Sequence, residues 1–106
     1  MSHPLLVLST CPDAETAARI ARALVEERLA ACVSRIPGMA STYRWQDEIR
    51  EDAEVWLLIK TTRDRFDALR GRLVELHPYE VPELLAIEVV DGHPAYLDWI
   101  ATATAR

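Results

Sequence analysis

Two extended stretches, "CVSRIPGMASTYRW" and "IREDAEVWLLIKT", flank the polar turn Gln46-Asp47-Glu48. Drawn as one strand, Glu48 to Lys60 runs roughly 40 Å at ~3.3 Å per residue, beyond the roughly 35 Å width of a compact domain of about 100 residues. A hairpin of that length has to overhang its own sheet. The overhang carries Tyr43 and Trp45 past the body, leaving aromatic surface and an unpaired strand edge that a monomer rarely tolerates. Another copy of the chain is the simplest cover. Pro37-Gly38 interrupts the first stretch, where proline cannot donate to a ladder and glycine permits a bulge. Beyond it Ser41, Tyr43 and Trp45 share one face, and Thr42 and Arg44 the other.

Around the hairpin the hydrophobic period alternates between that of strands and that of helices. "PLLVLST" reads as a short strand and "CPDAETAARIARALVEERLAA" as a helix. Asp13 is its N-cap, and Ala14, Ala17, Ala18, Ala21, Leu24 and Val25 form an apolar stripe. "TRDRFDALRGRLVEL" is a second helix with Phe66, Leu69, Leu73 and Leu76 facing in. "LLAIEVV" reads as a buried strand, and a turn at Asp91-Gly92 leads to a short C-terminal helix bearing Tyr96 and Trp99. The order β-α-β-β-α-β predicts an α+β, ferredoxin-like sandwich: a four-stranded sheet with two helices on one face, a long β-hairpin and a short C-terminal helix. At 106 residues, positions 1–106 make a single domain.

Half of the residues are hydrophobic and 27% are charged, as in ordinary globular proteins. A net charge of −5 disfavours nucleic acid as a partner. The basic residues closest to a patch, Arg63, Arg65, Arg70 and Arg72, are interleaved with Asp64 and Asp67, as on a solvated helix face. No run approaches the ~20 apolar residues of a membrane span, and the start lacks a signal-peptide pattern, so the expected location is the cytoplasm, with no membrane partner. The two cysteines, Cys11 and Cys32, have no CxxC spacing. Nucleophile-elbow, P-loop, zincin and Rossmann patterns are absent, and the expectation is a non-enzyme.

"ELHPYEVPELL" sets His77, Tyr79 and Glu80 around two prolines that hold the backbone extended, a stiff shelf for three functional groups. Candidate copper ligands are Cys11, Cys32, Met39, His3, His77 and His93, since Cu(I) prefers sulfur and Cu(II) prefers imidazole. Cys32 reads as a small core hydrophobe, His3 as a tail residue and His93 as a turn residue. His77 lies at a helix C-terminus. Cys11 lies at a strand-to-helix junction, where a thiolate is favoured electrostatically. These two are the metal candidates. The acidic residues Asp47, Glu48, Glu51, Asp52 and Glu54 read most simply as a solvated hairpin tip.

"ERLAACV", "IPGMASTYRW", "EVWLLIKTT", "HPYEVPELL" and "YLDWI", in this order and spacing, resemble the CutA divalent-cation-tolerance proteins from Leu5 to Ile100. The resemblance implies a PII-like homotrimer joined through its long hairpins, with Tyr43 and Trp45 at the trimer interface. It also implies a link to copper or another divalent cation, none of it required for folding, and no established catalysis. Tyr43, Trp45, Lys60, His77, Tyr79 and Glu80 are thereby grouped around a cleft between subunits. The alternative is a PII-like regulator or scaffold whose cleft takes a partner protein or a small ligand, such as an anionic metabolite held by Lys60. The chain departs from the family pattern in three places: Ser9 stands where certain members have cysteine, Leu76 where they have a second histidine, and Gln46-Asp47 where the hairpin turn usually has Glu-Gly.

Overall fold

The computed structural model describes residues 2–106. Its elements are β1 (Pro4–Cys11), α1 (Ala14–Glu26), β2 (Cys32–Trp45), β3 (Glu48–Thr62), α2 (Arg63–Leu76), β4 (Leu85–Glu88) and α3 (Pro94–Thr104). The sheet order is β2-β3-β1-β4, with every neighbouring pair antiparallel. β1 and β2, joined through α1, are thus parallel with β3 between them, which is the split βαβ arrangement.

One sheet face carries the core. Leu5 and Val7 of β1 and Val55, Leu57 and Ile59 of β3 pack against Ile20 and Leu24 of α1 and Phe66, Leu69 and Leu73 of α2. In α1 the N-cap is Asp13 as expected, its Oδ1 accepting from the Thr16 N–H at 2.8 Å. That bond holds its carboxyl below the usual carboxylate range. The buried stripe, however, is Ala17, Ile20, Ala21 and Leu24. Ala14 and Val25 face solvent, because the helix rolls to seat Ile20, its bulkiest apolar side chain. The helix also ends at Glu26, short of the expected Ala31. Arg28 turns left-handed at φ 58°, and Leu29 N–H and Ala30 N–H both return to the Leu24 carbonyl.

The hairpin overhangs as its length requires. β1 covers β3 only from Val55 to Thr62, whereas β2 continues alongside β3 to the Trp45–Glu48 pair, and the molecule measures 44 × 25 × 22 Å. A bulge sits between Ile36 and Met39, with Gly38 at φ 83°. Gln46 and Asp47 both have positive φ, 51° and 64°, as in a type I′ turn.

The stretch expected to be a buried strand yields only β4, four residues, all exposed. β4 is an edge paired to β1 alone, and its Leu85 and Ile87 lie on the sheet face that the core helices leave open, opposite Leu8 and Leu6. Leu58 and Trp56 of β3 and Ile36 of β2 continue that apolar face. Among the described residues no helix is long and apolar enough to cross a membrane.

Candidate functional site

The proline shelf, residues 77–84, leaves the C-terminus of α2 and crosses the end of β1 toward the base of the hairpin arm. It is pinned at three points. His77, 7% exposed, has Nε2 2.7 Å from the Thr10 carbonyl and Nδ1 3.1 Å from the Tyr79 backbone N–H. A backbone N–H can only donate, so Nδ1 is the unprotonated nitrogen and Nε2 carries the proton that Thr10 accepts. The Tyr79 hydroxyl donates to Glu54 Oε2 at 2.9 Å, and the Ser9 hydroxyl donates to the Glu83 carbonyl at 2.7 Å. Ser9 thus has a definite task, tying the end of β1 to the shelf.

Between the shelf and the arm lies a groove of about 760 Å³. Tyr43 and Trp45 come from β2, Arg50 and Glu54 from β3, and Tyr79 and Glu83 from the shelf; Glu80 and Thr10 complete much of the wall. Glu54 is not a solvated tip residue: it is 8% exposed, because Tyr79 folds over it from a segment distant in sequence. Burial, then the hydrogen bond to Glu54, lifts the Tyr79 phenol above its ordinary range. Glu83 is also raised, first by burial and then by the Glu54 charge. Asp52 accepts from the Tyr43 hydroxyl on the outer arm.

Of the residues grouped by resemblance, Tyr43, Trp45, Tyr79 and Glu80 meet in this groove within one chain. His77 stands behind it as the shelf's anchor. Lys60 lies apart, on the stretch of β3 inside the sheet, with Nζ 2.8 Å from the Ser34 hydroxyl and 3.9 Å from the Cys32 thiol. Sequence reasoning did not single out Thr10 or Arg50. Arg50's register opposite Tyr43, two positions from the turn, was the signal available.

The two metal candidates do approach each other. Cys11 Sγ is 4.0 Å from His77 Nε2. Cys11 is fully buried, and burial, reinforced by the Asp13 and Glu54 charges, pushes its thiol up to about 11. A copper ion would need a thiolate from Cys11 and a lone pair from His77, whose nitrogens are both engaged. As arranged, the pair does not fit a metal ion. No group of three or more His, Cys, Asp or Glu among the described residues is disposed to hold one.

Fold and groove together define a small α+β protein with a ligand-sized recess under a projecting hairpin. The profile of the CutA1 divalent ion tolerance protein family matches residues 5–103, and the chain belongs to that family. It is 52% identical over 99 residues to the divalent-cation tolerance protein CutA of Thermus thermophilus, covering 93% of this chain and 96% of that one. Protein CutA of Homo sapiens is 46% identical over 95 residues, 90% of this chain, which spans only 53% of that longer relative. The crystal structure of CutA from Xylella fastidiosa superposes with a TM-score of 0.95 at 50% identity, covering 98% of this chain and all of the other. A CutA of Archaeoglobus fulgidus at 32% identity is described as periplasmic, with a TM-score of 0.93 and coverage of 96% of this chain and 99% of that one.

Proposed function

We propose that the chain works in divalent-cation tolerance as a non-catalytic homotrimer that binds a small ligand in the groove under its hairpin arm. The observation that carries this reading is the uncovered apolar sheet face. Leu85 is 57% and Ile87 48% exposed, and Leu6, Leu8, Ile36, Trp56 and Leu58 extend the same face. A soluble monomer would expose this patch to water, whereas self-association buries it. Each projecting arm would then lie beside a neighbour and wall off its groove. Both cysteines are free, which favours a reducing compartment such as the cytoplasm.

Sedimentation velocity at micromolar concentration should give a single species of three times the chain mass. Ile87→Lys, which sets a charge in the apolar face, should shift it to the monomer. A wild-type monomer would end the reading. Trp45→Ala should weaken assembly, since aromatic side chains at interfaces carry a disproportionate share of the binding energy.

A second reading, copper held by Cys11 and His77, is favoured by their 4.0 Å approach alone. It requires the shelf to open, so copper binding would be accompanied by loss of the His77 bonds. In that case His77→Ala and Cys11→Ala would each abolish copper binding, with no added effect when combined.

A further inference from the structure

We infer that the groove accepts a small organic cation, an ammonium or guanidinium group, with the Glu54 carboxylate as its counter-charge. This rests on the reading of the groove as a ligand site and specifies the charge of the ligand. Three observations converge on it. Glu54 is more than nine-tenths buried, yet its sole polar contact is the neutral Tyr79 hydroxyl, and no basic side chain pairs with it among the described residues. No buried side-chain oxygen lacks a partner among the described residues, so the second Glu54 oxygen opens on the groove, where a ligand cation can reach it. The wall adds the carboxylates of Glu80 and Glu83, and its one base, Arg50, is paired with Glu48 at 3.6 Å. Finally, Tyr43, Trp45 and Tyr79 line the same recess, and aromatic faces attract organic cations through their quadrupoles.

The alternatives fit less well. An anion would meet the Glu54, Glu80 and Glu83 carboxylates, and Lys60, the base best suited to hold it, is occupied elsewhere in the chain. For a divalent metal the carboxylates are not gathered into a ligand set. An organic cation needs no such set, because its N–H groups can reach Glu54 while its alkyl stem rests on the rings.

Titration calorimetry with agmatine as the probe tests the inference, with glutarate and Zn²⁺ as controls. Wild-type protein should give saturable heat with agmatine. Glu54→Gln keeps the side-chain length and an acceptor for Tyr79, and should weaken agmatine at least about tenfold, which is ~1.4 kcal/mol, with the thermal midpoint little changed. Tyr79→Phe retains the ring and releases Glu54 from its hydrogen bond, and should bind agmatine at least as well as wild type. If agmatine is silent up to about 10 mM while glutarate or Zn²⁺ gives heat, the ligand reading of the groove stands and the cationic class falls. Silence from all three probes sinks both. Equal agmatine affinity in wild type and Glu54→Gln overturns the assignment of the counter-charge. If agmatine is silent and Glu54→Gln loosens the oligomer, the cation is a side chain of a neighbouring copy, and a free ligand is excluded.

Discussion

Replacing His77 with alanine tests whether the shelf is held as its hydrogen bonds indicate. The substitution removes the acceptor for the Tyr79 N–H and the donor to the Thr10 carbonyl, both facing a side chain only 7% exposed. Each orphaned buried group costs about 1–3 kcal/mol, so the two together should cost roughly 3 kcal/mol after water partly refills the space. The imidazole also leans on the Tyr79 ring, centroid to centroid 4.7 Å, and losing that contact frees Tyr79 to leave Glu54. His77→Gln is the discriminating partner: its amide supplies both a donor NH₂ and an acceptor oxygen, and should lose only about 1 kcal/mol. Guanidinium unfolding followed by circular dichroism, at one fixed protein concentration because assembly links stability to mass action, reads the difference. With a slope of about 4 kcal/mol per molar, His77→Ala should lower the midpoint by about 0.8 M and His77→Gln by about 0.25 M. Equal losses for the two variants, or a shift below about 0.2 M for alanine, would refute the hydrogen-bond account.

Two further outcomes follow from local chemistry. Placing Asn-Gly at positions 46 and 47 should stabilise the protein by roughly 1 kcal/mol, because Gln46 and Asp47 hold left-handed angles that Asn and Gly adopt more readily; an unchanged or lower melting temperature would count against the turn assignment. Burial lifts the Cys11 thiol from an ordinary 9.0 to about 11, so its contribution to stability is intact below pH 9 and is lost as pH rises through 11. The loss should reach about 2–3 kcal/mol, and Cys11→Ala should flatten that part of the stability-against-pH curve; parallel curves for the two proteins would contradict it.

Much of the architecture could be read from the chain because each signal was local. The change of hydrophobic period ordered the elements through α2, Asp13 announced its own helix, and Pro37-Gly38 announced the bulge. What escaped was settled over long range. The run around Leu85 looks alike whether its second face meets its own helices or another chain, and the sequence says only that it is apolar. Glu54 sits among acidic neighbours on an arm, and its burial depends on Tyr79, brought back by the whole of α2. The end of α1 was misplaced because Arg28, rather than glycine, takes the left-handed position that stops a helix. Cys11 and His77 lie 4.0 Å apart, but the protonation that decides what they can bind follows from burial and nearby carboxylates for the thiol and from Thr10 and Tyr79 for the imidazole.

The bulge at Pro37-Gly38 also sets which way the arm faces. Before it, Val33 lies opposite Ile59, so odd positions of β2 share the core-facing side with odd positions of β3. After it, Tyr43 lies opposite Arg50 and Met39 opposite Glu54, so odd positions of β2 now join even positions of β3. One extra residue has inverted the parity of the strand. Were the ladder to run on in the register of Val33 and Ile59 with every residue kept and no bulge, Tyr43 would fall opposite Ile49 and Trp45 opposite Asp47, and both would point away from Glu54. The chemistry of the groove is therefore written partly as a register: a change that irons out the bulge with its residue in place would erase it, whereas deletion of that residue would leave Tyr43 opposite Arg50.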